Sequence, residues 1–351
     1  MSRAQQTSLA LHESVHTVED AETGLRGAIA IHSTALGPAA GGCRMWTYPS
    51  HADLVTDALR LAQGMSYKNA MAGLPFGGGK AVLTAPLGAD RRALFRAFGR
   101  AVERLQGRYV TAEDVGTGVA DMEMVRSETR HVAGLTARPG FAGGDPSPWT
   151  AKGVFLSLQL AVERRLGTSL SDVTVAVQGL GNVGQALCRL LHEAGADLIV
   201  SDVSAERVQR AVALYGALPA AVDQIHKAYV DVFAPCALGA SLSEATIPYL
   251  QAKIVCGAAN NQLATADDDA RLASRGVLYC PDYVVNAGGI INVAAEYLGE
   301  TEAEVELRVG RIASRLGELL DRAEATAQPP ALVADRMAAD LIAAPAERVA
   351  A

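Results

Sequence analysis

The sequence predicts an α/β protein, in two domains or one large one, on three observations. The chain has 351 residues, half of them apolar and a fifth charged, enough to bury a substantial core. The stretch VTVAVQGLGNVGQALCRLLHEAGADLIVSDV reads as strand, glycine turn, helix and strand, one βαβ unit of a parallel sheet. The stretch ARPGFAGGDPSPWT is dense in Gly and Pro and is the best candidate for a domain boundary.

The other elements follow in order. GLRGAIAIHST alternates and carries β-branched residues, so it reads as a strand. In HADLVTDALRLAQGMSYKNAMAG, Leu54, Ala58, Leu61 and Met65 recur at helical spacing. Lys68 falls near the end of that helix and Gly73 is its stop. KAVLTAP is a short strand, RRALFRAFGRAVERLQG a helix, and RYVTAED a strand ending on acidic residues. Past the Gly/Pro stretch, TAKGVFLSLQLAVERRLG is a helix, and DVFAPCA, KIVCGAA and VLYCPDYV are short apolar runs at strand-like intervals. In the tail, Val305, Val309, Ile312, Leu316 and Leu319 share one face of a long amphipathic helix that must pack on the body.

Composition excludes several classes. The net charge is −7 and no Lys/Arg run is dense, so neither nucleic acid nor a membrane surface is an expected partner. No apolar run reaches membrane-spanning length. The apolar stretch in MSRAQQTSLALHESV is too brief for a signal segment, so the cytoplasm is the expected location. The five cysteines are widely spaced without CxxC and read as reduced thiols, mostly in the core. The seven histidines show no HExxH spacing, so no metal is expected.

GLGNVG places Gly179, Gly181 and Gly184 in the G-x-G-x-x-G pattern, after a strand and opening a helix. In that context the first glycine makes the tight turn, the second lets the backbone approach a pyrophosphate, and the third permits close helix–strand packing. The helix opening at Asn182 and Val183 offers free N–H groups and a partial positive charge to phosphates. Asp202 ends the next strand, 18 residues beyond Gly184. A carboxylate there accepts the ribose hydroxyls and repels a 2′-phosphate, which favours NAD. The alternative is that SDVS caps a turn, and the nearby Arg207 keeps NADP in view.

GLPFGGGKAV raises a separate question, because three glycines run into Lys80. A phosphate loop needs Gly at position 74 and Ser or Thr after the lysine. Leu74 and Ala81 stand there, so that reading fails. The glycines suggest instead a backbone passing close to a bound molecule, with the Lys80 amine partly desolvated. Lys68, Lys80 and Asp114 all lie outside the βαβ unit, and spacing alone does not bring them together.

The segments LGPAAGGCRMW, MSYKNAMAGLPFGGGKAV, TAEDVGT, GDPSPWTAKGV, VQGLGNVG, FAPCALG, GAANNQL and PDYVVNAGGIINV run in this order along nearly the whole chain. Through them the chain resembles the amino-acid dehydrogenases for leucine, valine, phenylalanine and tryptophan, the short relatives of glutamate dehydrogenase. The resemblance implies a mixed α/β substrate domain over 1–140 and a Rossmann NAD-binding domain over 141–324. It implies an active site in the cleft between them, C-terminal helices at 325–351 packing back on the first domain, and a homo-oligomer. It implies that Lys80 is the catalytic lysine and Asp114 the acid that handles protons. Lys68 binds the substrate carboxylate, with the backbone at Gly42 beside the amino acid. Asn260 lies beside substrate and nicotinamide, Thr150 binds the nicotinamide amide, and Asn286 belongs to the cofactor side. Ala40, Ala112, Ile290 and Val293 match the side-chain pocket.

The expected reaction is NAD-dependent oxidative deamination of a hydrophobic L-amino acid to the 2-oxo acid and ammonia, reversible as reductive amination. Lys80 would activate the attacking water, for which a neutral amine is needed. Partial burial and the Lys68 cation favour that form. Branched-chain substrates are favoured and glutamate disfavoured, since no extra cation appears among the pocket positions. Ala40, small where leucine dehydrogenases carry Leu, leaves phenylalanine or tryptophan as the alternative. A non-catalytic NAD-binding sensor is the alternative from another class.

Overall fold

The computed structural model describes residues 11–344 and divides into two compact units. Among the described residues, unit 1 comprises 11–144, 290–305 and 338–344, and unit 2 comprises 145–289 and 306–337. The expected division fell at 140/141 and 324/325. The segment 290–305 groups with unit 1 because Ile290 and Val293 pack beside Ala40 and Phe76, and Glu296 accepts the backbone N–H groups of Gly134 and Leu135. The tail expected at 325–351 is shared: 330–337 groups with unit 2, where Asp269 caps Ala331, and 345–351 lies outside the described residues. Residues 1–10, which hold most of the short N-terminal apolar stretch, are also outside them.

Unit 1 is a mixed sheet of β1 (Ser14–Asp20), β2 (Leu25–Ser33), β3 (Ala39–Ala40), β4 (Cys43–Met45), β5 (Gly77–Thr84) and β6 (Tyr109–Val110), with helices α1 (His51–Met71), α2 (Arg91–Glu103) and α3 (Val119–Arg126). The order is β1-β2-β5-β3-β6, with β4 also on β5. β2 pairs antiparallel to β5, and β3 and β4 pair parallel to it, so β5 is central. Its two-residue period sorts side chains to two cores. Ala81 and Leu83 join Phe95 and Phe98 of α2, whereas Val82 joins Leu54, Ala58 and Leu59 of α1. Burial of each Phe contributes roughly 1.5–3 kcal/mol. Lys80 shares the Val82 side of the strand, so the chain puts a lysine on the sheet face that α1 covers.

α1 begins where the Ser50 side chain accepts the Asp53 N–H, and ends before Gly73, whose φ of 65° only Gly adopts freely. The glycine run is explained by packing. β5 starts at Gly77 rather than at Lys80, as the sequence suggested. A Cβ on Gly77 would stand 1.9 Å from the Ser33 carbonyl oxygen, on Gly78 2.0 Å from the Ser66 nitrogen, and on Gly79 2.8 Å from the Tyr109 ring. These glycines therefore let α1, β2 and Tyr109 close on β5, a correction to the expectation that they face a bound molecule.

Unit 2 holds α4 (Ser147–Leu166), β7 (Thr174–Gln178), α5 (Asn182–Glu193), β8 (Asp197–Ser201), α6 (Ala205–Tyr215), β9 (Leu218–Pro219), β10 (Val232–Pro235), β11 (Ile254–Val255), α7 (Asp267–Ser274), β12 (Leu278–Tyr279) and α8 (Asp282–Val285). Its sheet runs β12-β11-β10-β7-β8-β9 with every pair parallel, a Rossmann arrangement. Strand order reverses between β7 and β10, the point where open parallel sheets bind ligands. The chain closes with α9 (Gly288–Leu298), α10 (Glu302–Thr326) and α11 (Pro330–Ala343). Val305, Val309, Ile312, Leu316 and Leu319 of α10 are all buried, as their spacing predicts.

Candidate active site

In unit 1, Lys80 is 5% exposed and its Nζ lies 2.8 Å from Asp114 Oδ2. The same oxygen accepts from Arg44 Nε at 3.2 Å. Burial alone would raise the Asp114 carboxyl. The Lys80 charge and hydrogen bond, then Arg44, outweigh it and hold that carboxyl below the ordinary carboxylate range. Thr117 Oγ1 anchors the loop by accepting the Asp114 N–H at 2.9 Å and donating to the Cys43 carbonyl at 2.9 Å. Gly42 is required for this approach. A Cβ there would meet the Glu113 carbonyl oxygen at 2.5 Å and Asp114 Cβ at 2.9 Å.

Lys68 lies half-buried in the last turn of α1. Met65, one turn earlier on the same helix face, comes within 3.0 Å of where a Cβ on Gly41 would stand, so this face of α1 lies against the Gly41 backbone. Spacing alone could not bring Lys80 and Asp114 together. Strand register does, because β4 and β5 pair at Cys43 and Ala81 and the Asp114 loop bridges to Cys43 through Glu113.

Ala40, Ala112, Ile290 and Val293 all line one cavity of about 20 Å³, together with Phe76 and Tyr297. The lining holds no charged side chain. That volume has room for about one water. Asn69, fully buried, also lines it. Its Nδ2 donates to the Gly77 and Ala40 carbonyls at 2.6 and 3.4 Å, tying α1 to β5 and β3.

In unit 2 the glycine loop has the geometry its motif requires. Gly179 has a φ of 96°, and a Cβ on it would meet the Ala237 nitrogen at 2.8 Å, so the turns after β7 and β10 touch there. A Cβ on Gly184 would lie 2.0 Å from the Gly179 carbonyl oxygen, which sets α5 directly on the turn. Gly181 differs, with nothing within 4 Å of its missing Cβ. No side chain caps α5, which begins at Asn182 and Val183. Asp202 accepts the Leu180 N–H at 2.6 Å and the Ser204 N–H at 2.8 Å, and Arg207 stands 3.7 Å away. The Asp202 carboxylate thus caps this turn and also fixes the glycine loop.

The remaining unit 2 residues form a second group. Asn286 Nδ2 donates to Asn260 Oδ1 at 2.9 Å and to the Ala258 carbonyl at 3.0 Å, while its own Oδ1 is buried with no partner among the described residues. Thr150 Oγ1 donates to the Pro146 carbonyl at 3.1 Å, and lies 2.6 Å from where a Cβ on Gly289 would stand. Two contributors were missed in the sequence. Arg44 follows Gly42 by two residues in GGCRMW, and Asn69 is a lone amide in the apolar run YKNAMAG. A polar side chain amid small and apolar residues was the available signal for both.

Residues 10–131 match the Glu/Leu/Phe/Val dehydrogenase dimerisation domain, and 145–206 with 206–344 match the Glutamate/Leucine/Phenylalanine/Valine dehydrogenase domain. Leucine dehydrogenase of Bacillus subtilis is 46% identical over 94% of this chain and 91% of its own length. Valine dehydrogenase of Streptomyces virginiae is 46% identical over 93% and 92%. L-tryptophan dehydrogenase from Nostoc punctiforme superimposes with a TM-score of 0.86 at 41% identity, covering 97% of this chain and 98% of that one. Glutamate dehydrogenase from Thermus thermophilus, at 22% identity and a TM-score of 0.77, shares the fold. The chain is thus an amino-acid dehydrogenase and belongs to the Glu/Leu/Phe/Val dehydrogenase family.

Proposed function

We propose that the chain oxidises a branched-chain L-amino acid, leucine or valine, to its 2-oxo acid and ammonia, with NAD as hydride acceptor, and runs the reverse amination. The observation that carries the substrate class is the uncharged lining formed by Ala40, Ala112, Ile290 and Val293, around a space that holds about one water and must widen to take a side chain. An aliphatic side chain loses nothing by burial there, whereas a carboxylate or ammonium would be left unpaired. The leucine and valine dehydrogenase relatives support the same class.

Three features fit NAD. The open side of Gly181 admits a pyrophosphate to the uncapped start of α5. The Asp202 carboxylate disfavours a 2′-phosphate. The unpartnered Oδ1 of Asn286 is an acceptor suited to a carboxamide N–H. When bound, NAD supplies the acceptor for the Cα hydride. The protein's own residues do the rest. Lys68 holds the substrate carboxylate as a point charge and thereby fixes Cα. Loss of hydride leaves an iminium, which water attacks while Lys80 takes the water proton. Asp114, 2.8 Å from Nζ, relays that proton from Lys80 to the amine, and the freed Lys80 takes the adduct's hydroxyl proton as the C–N bond breaks to give the 2-oxo acid and ammonia. Asn260, held by Asn286, orients the reacting groups.

The dimerisation-domain match supports a homo-oligomer, to be measured by light scattering. No helix among the described residues is long and apolar enough to cross a membrane, in keeping with a cytoplasmic enzyme. The reading is tested by following reduced nicotinamide with Leu, Val, Ile, Phe, Tyr, Trp and Glu, each with NAD and NADP. Leucine and valine with NAD should give the highest kcat/KM. Preference for Phe or Trp would overturn the substrate assignment, and preference for NADP the cofactor assignment.

A further inference from the structure

We infer that Arg44 is a positioning residue for the reaction, the second counter-charge that frees the Lys80–Asp114 pair to release its proton. Arg44 connects two carboxylates: Nε lies 3.2 Å from Asp114 Oδ2 and Nη1 lies 3.0 Å from Asp57 Oδ2. Asp57 is held in turn by the Tyr48 hydroxyl at 2.6 Å and by Arg60 at 2.9 Å. Charges alternate along this line of contacts: Arg60, Asp57, Arg44, Asp114, Lys80. Side-chain exposure is 56% at Arg60, between 17% and 25% at Asp57, Arg44 and Asp114, and 6% at Lys80.

Lys80 and Arg44 share one oxygen of Asp114. A carboxylate divided between two cations binds each less tightly than it would bind one alone. When Lys80 gives up its proton, Arg44 remains, so the partly buried Asp114 carboxylate keeps a counter-charge, whose loss would be costly. Other ionisable groups stand on the elements packed around Asp114. The Cys43 thiol of β4 and the Tyr109 phenol of β6 are both pushed up by burial and stay neutral. α1 contributes Asp57, Arg60 and Lys68, α2 and α3 the separate Arg91–Asp121 pair, and the Asp114 loop its neighbour Glu113. Arginine suits this position because its planar fork spans Asp114 and Asp57 at once, which a lysine point charge does not.

The inference rests on the dehydrogenase reaction proposed above, so wild-type turnover of leucine is established first. Its absence would sink that reading alone. The pH dependence of kcat/KM for deamination is then compared among variants. Arg44→Met should lower kcat/KM about 10²-fold and move the rise of the profile to higher pH, since the Lys80–Asp114 pair then holds its proton more tightly. Arg44→Lys should return the profile to its wild-type position while recovering only part of the rate. Asp57→Asn should move it the opposite way, to lower pH, because the Arg44 charge is then left entirely to Asp114. An Arg44→Met profile that keeps its wild-type position, whatever the loss of rate, would reduce Arg44 to a structural role. So would a shift of Asp57→Asn in the same direction as Arg44→Met. Should Arg44→Met fail to fold by circular dichroism, Asp57→Asn carries the same sign test. Carbamylation of Lys80 by cyanate against pH, located by mass spectrometry, reads the proton release without turnover.

Discussion

Lys80 is the residue on which the proposed chemistry depends, and its surroundings explain why a lysine is tolerated there. Burial of a cation is costly without a partner, and Asp114 supplies one at 2.8 Å. Lys80→Ala should cut kcat about 10²–10⁴-fold, the usual worth of a positioned acid or base, while binding of the reduced cofactor, followed by its nicotinamide fluorescence, is kept. Lys68→Ala should chiefly raise the amino-acid KM, by about 10–100-fold for one lost charge-assisted contact, and leave NAD affinity unchanged. Lys80, Asp114 and the four pocket positions were singled out in the sequence through the family resemblance, and the structure brings Lys80 to Asp114 and the four around one cavity. Arg44 was not, because its value comes from standing between Asp57 and Asp114. Its contact with Asp114 spans 70 residues of chain and exists only through the pairing of β4 with β5.

At the level of elements, the glycine run was legible as special but not for its reason. Its role is set by α1, β2 and Tyr109, which sequence spacing does not place. Gly78→Ala should destabilise markedly, since its Cβ would sit 2.0 Å from the Ser66 nitrogen, a backbone atom that cannot swing away. Gly64→Ala, inside α1 with nothing within 4 Å, should instead stabilise by about 0.5–1 kcal/mol. Thermal unfolding of the two variants checks the contrast.

The start of α11 carries a pH dependence. Asp269 accepts the Ala331 and Leu332 N–H groups, and burial first, then Asp335, pushes its carboxyl up to about 6 against those bonds. The folded state therefore holds this proton more tightly than the unfolded chain. The stability it contributes is greatest below the ordinary value of 3.8 and is lost as pH rises from there to about 6. Asp269→Asn, which keeps an acceptor without a charge, should flatten the stability profile across that window. An unchanged slope of Tm against pH would contradict the assignment.

For the molecule as a whole, the α/β class, the Rossmann unit and a break near the Gly/Pro stretch were all legible, because each rests on local periodicity or turn chemistry. The final division was less so. Whether residues 290–305 group with unit 1 depends on what Ile290, Val293 and Glu296 touch, and those partners lie some 150–250 residues away in the chain. Unit 1 holds an apolar pocket and the lysine–carboxylate pair, and unit 2 holds the glycine loop. The proposed chemistry joins them through one event, transfer of the Cα hydride of the amino acid to the nicotinamide. The most direct measurement uses leucine deuterated at Cα, with the reduced nicotinamide recovered and analysed by mass spectrometry. The label should appear on the nicotinamide ring in stoichiometric amount. Label found in solvent water, with unlabelled nicotinamide, would contradict direct hydride transfer and with it the roles given to Lys68, Lys80 and Asp114.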